Sequence, residues 1–230
     1  MGNPANTAGV PDGPAVDERR PIATDALRVL AEHRRHRAIV RCLRTEDSLA
    51  RGALARHVVA RCRDCPVGEV TDADRRRVTA DLHHDHLPRL TSVGLIERGG
   101  DGVTLAVDPD RVTALECVDA DEASAEAWEA VAVLLADDRR ELVVSMLETV
   151  AKPVSLADLA VGLASREYRR QSAPAEAVDA ARRSLHHVHL PLLDEVGVVA
   201  YDARRKRVTL ERLPTPYVAT RRSLVGVPTP

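Results

Sequence analysis

Six of the nine histidines fall in two clusters, His83, His84 and His86, then His186, His187 and His189. In each cluster the first and third are i, i+3 neighbours on a helix, a spacing at which two imidazoles can share a transition-metal ion. Two imidazoles leave such a site short of ligands, and the spacing supplies no third. The simpler expectation is that His86 and His189, which stand beside core leucines, are packed and hydrogen-bonded. Cys62 and Cys65 form a CxxC, half of a zinc site or a redox pair, with His57 five residues before Cys62. No second CxxC follows, and Ser165, Arg166 and Glu167 stand in the comparable part of the second half of the chain, so incidental thiols are expected there. The sequence holds no Gly-rich phosphate loop, nucleophile elbow or His-Glu-x-x-His, which predicts a protein that is not an enzyme and carries no cofactor.

Composition narrows the partners. The 230 residues carry 33 Lys and Arg against 35 Asp and Glu, a net charge of −2, so attraction to a polyanion can come only from local patches. One Trp, three Tyr and no Phe exclude base-stacking platforms and aromatic cages. Lys152 and Lys206 are the only lysines; every other such cation is an arginine. No run reaches the roughly 18 apolar residues of a membrane span, and residues 1–23 lack the apolar core of a signal peptide, which predicts a cytoplasmic protein without a membrane partner. The four cysteines, Cys42, Cys62, Cys65 and Cys117, do not form a disulfide framework and are expected to be thiols.

The elements that must position these residues are repeated. Leu82-His83-His84-Asp85-His86-Leu87-Pro88-Arg89-Leu90-Thr91-Ser92-Val93-Gly94-Leu95-Ile96 recurs from Leu185 to Val199 with nine of fifteen positions identical. Upstream, Leu30, Ile39, Val40 and Leu43 align with Leu134, Val143, Val144 and Leu147; downstream, Val103-Thr104-Leu105 aligns with Val208-Thr209-Leu210. The expected organisation is a disordered tail over 1–23, repeats over 24–108 and 127–212, an acidic linker over 109–126 and a Pro-rich extended tail over 213–230, packed through Tyr217 and Val218. The net charges are +2 for the first repeat, −5 for the linker and 0 for the second repeat.

Each repeat reads as four helices and a short β ending. Leu27, Leu30 and Ala31, or Val131, Leu134 and Leu135, give the first amphipathic helix; Ile39, Val40 and Leu43, or Val143, Val144 and Leu147, give the second. The third is expected to start at an N-cap, Ser48 or Ser155, and to bury Leu54 and Val58, or Leu159 and Leu163. The fourth carries the histidines and ends at Gly94 or Gly197 in a left-handed cap. Pro88 and Pro191 sit inside it and predict a kink or restart near His84 and His187. A hairpin follows, with a Gly-rich turn in the first repeat and a longer basic one in the second.

This order of elements, mainly α with small β-hairpins, resembles tandem winged helix-turn-helix domains. Leu135-Ala136-Asp137-Asp138-Arg139-Arg140-Glu141-Leu142 and His189-Leu190-Pro191-Leu192-Leu193-Asp194-Glu195-Val196-Gly197-Val198-Val199 are distantly similar to metal-sensor-type winged-helix repressors. Both copies more closely resemble an uncharacterised haloarchaeal winged-helix family whose hallmark reads LHHxHLPxLxxxGVVxYD. His186, His187, His189, Pro191, Tyr201 and Asp202 complete it in the second repeat; the first keeps His83, His84, His86 and Pro88 and has lost the Tyr-Asp. The repressors' metal-binding Cys pair is absent from both repeats, so the resemblance carries no metal site.

What the resemblance implies is a DNA-binding transcriptional regulator whose two winged helices act as an intramolecular pseudo-dimer on adjacent half-sites of double-stranded DNA. Arg204, Arg205, Lys206 and Arg207 on the second wing, Arg182 and Arg183 before its histidines, and Arg75, Arg76 and Arg77 in the first repeat are the candidate phosphate contacts. The wings imply unequal duty, the second gripping phosphate and the first serving packing or sensing. The balanced charge leaves a second expectation open, a protein-interaction module that binds a protein partner or a second copy.

Overall fold

The computed structural model describes residues 19–46, 48–100, 102–106, 125–168 and 172–225. In the first repeat α1 (Arg19–Glu32), α2 (Arg34–Thr45) and α3 (Arg51–Arg63) precede α4 (Asp72–Asp81), a π-helical turn over Leu82–His86 and α5 (Leu87–Ser92). β1 (Ile96–Arg98) and β2 (Val103–Leu105) close it. The second repeat runs α6 (Ala125–Leu135), α7 (Asp138–Leu147), β3 (Val154–Ser155), α8 (Leu156–Glu167) and α9 (Ala175–Ser184). A π-turn over Leu185–His189, α10 (Leu190–Glu195), β4 (Val199–Asp202) and β5 (Arg207–Leu210) complete it, and α11 (Thr215–Val225) follows.

The apolar periodicity places its residues as expected: Leu27, Leu30, Ile39, Leu54 and Val58 are buried in one half and Val131, Leu134, Val143, Leu159 and Leu163 in the other, in one continuous core. Ser155 caps α8 by accepting the Asp158 N–H at 3.1 Å. Ser48 does not cap α3, which starts after Ala50 without a side-chain cap. The reason is that Leu49 forms a two-way bridge to Val103 (2.9 and 3.1 Å), so the N-cap position falls on Ala50, two residues beyond Ser48. The equivalent bridge in the second repeat is the full β3–β5 pairing, Val154 with Val208 and Ser155 with Arg207, giving a three-stranded sheet in the order β3-β5-β4.

At Pro88 and Pro191 the helix does not break. Leu87 donates its N–H to Leu82 C=O, and Leu190 to Leu185 C=O, each five residues back. One residue of slack lets the helix pass a proline that lacks an N–H and whose ring would strike the carbonyl four residues earlier. Both helices then end as expected. Gly94 (φ +69°) and Gly197 (φ +68°) take the left-handed cap, and Leu95 and Val198 donate back to Leu90 and Leu193 at 3.0 and 2.9 Å.

The tails differ from expectation. α1 begins at Arg19, inside the segment expected to be disordered, and the remainder of that segment lies outside the described residues. The described part of the segment after 213 is helical, not extended: α11 packs on α1 and α6, with Tyr217 buried and its hydroxyl donating to Glu141 at 3.3 Å, and 226–230 lie outside the described residues. An apolar face with Tyr217 and the half-buried Val218 is stable as a helix once it can lie across two others. Of the acidic linker only its end is described, where α6 begins at Ala125; Cys117 lies outside the described residues.

The two repeats meet through α1 and α6, each the first helix of its repeat. Arg28 of α1 donates to the Leu135 carbonyl at the end of α6 (2.8 Å), while the guanidinium of Arg37, just beyond the end of α1, lies 4.8 Å from the centroid of Trp128 near the start of α6. The helices therefore run antiparallel, and a helix packed on its own counterpart is the signature of two-fold association. Because this core is shared, thermal unfolding followed by circular dichroism should show one transition, and Trp128→Ala should lower stability by about 3–5 kcal/mol while keeping a single transition. Two separated transitions in the wild type would contradict a shared core.

Candidate functional site

The π-turn sorts the histidines. His86 and His189 point into the core, 3% and 4% exposed, whereas His83, His84 and His187 face outward and His186 is half-buried. His83 with His86, and His186 with His189, are thus turned to different surroundings and form no shared metal site. Among the described residues no group of three or more His, Cys, Asp or Glu is arranged to hold a metal ion. Cys42, Cys62 and Cys65 are free thiols, and His57 and Cys65 line an open groove of about 440 Å³ beside Val67.

What His86 meets was not expected from spacing. It lies against His33 and His36, with ring centroids 4.8 and 5.1 Å away. Val29 C=O can only accept, so His36 donates to it from Nδ1 (2.6 Å) and its Nε2 is left as an acceptor. His86 then donates from Nδ1 to His36 Nε2 (3.1 Å), and its own Nε2 accepts from Arg35 (3.3 Å), which is paired with Asp81 at 3.0 Å. His33 caps α2 by accepting the Arg35 N–H at 3.0 Å. The relay runs from Asp81 on α4 to the carbonyl of Val29 on α1 and holds the histidine-bearing turn to the repeat interface. A single sequence signal existed, the pair His33 and His36 at the turn between the first two helices, but nothing in its spacing indicated which later histidine would join it.

In the second repeat the same three positions are Asp137, Arg140 and His189. Asp137 caps α7, accepting the Arg139 N–H at 2.9 Å, and Arg140 donates to Val133 C=O as His36 does to Val29. Here the relay is broken: Arg140 Nε and His189 Nδ1 are both buried without a hydrogen bond. Arg139 turns instead to Glu167 at 2.6 Å, with Ser184 rather than an acid on its other side.

Charge in the first relay follows from its environment. Burial, then the His36 and His33 imidazoles, push His86 down to about 4, and burial likewise lowers His36 and His33 from 6.5. The charged groups around them are Glu32, Arg34, Arg35, Arg37, Asp85 and Arg89. Folded imidazoles with lowered pKa make the unfolded chain take up protons first as pH falls, so this stability is complete above about pH 6.5 and is lost toward pH 4. Denaturation midpoints between pH 7.5 and 4.5 should fall accordingly. His86→Gln should be less stable at pH 7.5 yet show a flatter pH dependence; an unchanged slope would place the effect elsewhere.

The remaining hallmark residues tie the second hairpin to the helix before it. His186 Nδ1 is hydrogen-bonded to the Tyr201 hydroxyl at 2.5 Å, and burial, with Asp202 second, raises the Tyr201 pKa, which keeps the phenol protonated to donate. Asp194 accepts the Tyr201 N–H at 3.0 Å, and Asp202 accepts the N–H groups of Arg204 and Arg205 at 3.0 and 2.9 Å, shaping the turn. Tyr201→Phe should cost about 1 kcal/mol and speed amide exchange across β4 and β5, with α6 and α7 unaffected; uniform loss of protection would argue against a local lock.

Beyond the hairpin turn the cations are unevenly occupied. Arg56 and Arg75 are paired with Asp72, Arg63 with Asp74, Arg182 with Asp179 and Arg205 with Asp202. Among the described residues Arg76, Arg77, Arg183, Arg204, Lys206 and Arg207 are exposed and make no salt bridge. The two basic clusters are not equivalent as expected. With Leu82 placed on Leu185, Arg182 and Arg183 fall on Thr79 and Ala80, while Arg75, Arg76 and Arg77 fall on Val178, Asp179 and Ala180.

The class this defines is a mainly helical protein of two tandem domains, each closed by an antiparallel hairpin. Residues 27–104 and 132–209 each match the family described as Domain of unknown function (DUF7344), and the chain belongs to that family. No curated protein and no solved structure matches it. Among the described residues no helix is long and apolar enough to cross a membrane.

Proposed function

We propose that the chain is a cytoplasmic, non-enzymatic DNA-binding transcriptional regulator built from two winged helices joined as an intramolecular pseudo-dimer. In this reading α3 and α8 are the first helices of the helix-turn-helix, α4–α5 and α9–α10 the recognition helices, and β1–β2 and β4–β5 the wings. The observation that carries it is the second wing: Arg204, Lys206 and Arg207 project without salt bridges from a turn fixed by Asp202 and strands anchored to the start of α8. Cations held on a rigid hairpin beside an exposed helix suit the phosphates flanking a major groove. The antiparallel α1–α6 contact supports the pseudo-dimer, since it relates the two heads as subunits of a dimer are related.

A second reading, a protein-interaction module, is favoured by one feature. Val161 on α8 and Tyr168 at its C-cap lie seven residues apart, 51% and 41% exposed, an apolar strip beside the proposed reading face.

Duplex DNA carrying the sequence upstream of the chain's own gene, titrated by fluorescence anisotropy across salt concentrations, distinguishes the two. Binding should weaken steeply with salt, and replacing Arg204, Lys206 and Arg207 with Ala should reduce the magnitude of the log–log salt slope by about 3. Equal slopes for wild type and variant would remove the second wing from the interface, and no retention of duplex at low salt would leave the protein-interaction reading.

A further inference from the structure

The two halves of this frame are alike in backbone and unlike in the groups they turn outward. Among the described residues of the first repeat, the cations of α4 without a salt bridge are Arg76 and Arg77, in its second turn, while Arg56, Arg63 and Arg75 are held by Asp72 and Asp74 and the hairpin carries one such cation, Arg98. Its hairpin offers Glu97, Arg98, Gly99 and Gly100, and it closes through Gly102 at φ +155°. There a Cβ would lie 2.7 Å from the Leu49 carbonyl oxygen, so that position cannot carry the arginine that Arg207 supplies in the second repeat.

The second repeat reverses this distribution. The start of α9 carries Glu176 and Asp179, the latter paired with Arg182 at 2.9 Å, and on its histidine helix and hairpin the cations without a salt bridge among the described residues are Arg183, Arg204, Lys206 and Arg207. The outward centres of the two π-turns differ as well. Asp85, paired with Arg89 at 3.1 Å, occupies the position that Val188 holds 47% exposed in the second repeat.

We infer that the duplex this chain selects is asymmetric, with two unlike half-sites rather than an inverted repeat. The inference rests on the DNA-binding reading above. The two-fold frame sets two heads on one duplex, the first gripping phosphate from its recognition helix and the second from its wing. An apolar side chain such as Val188 complements the methyl group of a thymine in the major groove, whereas a carboxylate such as Asp85 has no favourable contact with that methyl and complements an amino donor of cytosine instead. A palindrome would place the same base under both.

The test is selection of bound duplexes from a randomised pool by the full chain, followed by footprinting of the selected site with three proteins: wild type, Arg204→Ala/Lys206→Ala/Arg207→Ala, and Val188→Asp. The expected site lacks dyad symmetry. The triple variant should lose backbone protection on one side only, and Val188→Asp should change the selected bases on that same side while the other half-site is retained. An inverted repeat, retention without sequence preference, or loss of protection on both sides by the triple variant overturns asymmetry while leaving DNA binding intact. Failure to retain any duplex at low salt overturns the DNA-binding reading and this inference with it.

Discussion

An α-helix that meets a proline past its first turn loses one hydrogen bond and must clear the carbonyl four residues back, and most helices answer by kinking. Here both histidine helices answer by widening to a π-turn, Leu87 reaching Leu82 and Leu190 reaching Leu185. That turn sets the rotation of α4 against α5, and of α9 against α10. It turns His86 and His189 inward and His83, His84 and His187 outward, and it brings the ends of α5 and α10 to the glycine caps from which the hairpins start. A π-turn repeated at the same place in both repeats is a property of the domain, set by the Leu-Pro that each retains.

The inward histidines then reveal how one polar position can be built twice. In the first repeat Arg35, His86 and His36 satisfy each other in sequence, each tautomer fixed by the last, from Asp81 to the Val29 carbonyl, with the His33 ring packed alongside. In the second, Asp137 and Arg140 stand where His33 and His36 are, and Arg140 Nε and His189 Nδ1 are left unpaired inside the protein. Buried groups without partners are costly. The groove beside this node, about 680 Å³ and lined by Arg28, Asp137, Asp138, Arg139 and Glu167, opens at the junction of the two repeats. Its cations are already opposed by acids, Arg139 by Glu167 and Arg28 by Asp25 and Asp138.

Near-neutral charge and scarce aromatics have a common consequence for function. With Trp128 and Tyr217 both committed to the helices at the junction, and Tyr201 committed to His186, little aromatic surface is left for recognition, and any partner must be met by charge, backbone and aliphatic groups. Among the described residues the unpaired cations of the second wing and of α4, the exposed Val188 and the strip of Val161 and Tyr168 are among what the surface offers.

Much of this was legible in the residues. The repeat, the helical order, the glycine caps, the β-hairpins and nearly all of the core follow from periodicity and from residues with narrow backbone preferences, because those depend on neighbours along the chain. The basic hairpin was legible for the same reason: a charged turn between short strands has nowhere to go but solvent. Three features were not. That Ser48 would give up its cap to strand pairing by Leu49, that the last segment would be a helix across the junction, and that His86 would find His33 and His36 were decided by contacts between residues far apart in sequence. Local propensity fixes which elements can form; which side chains meet, and which donors are left over, depends on how those elements pack, and packing is settled only when the two repeats share one core.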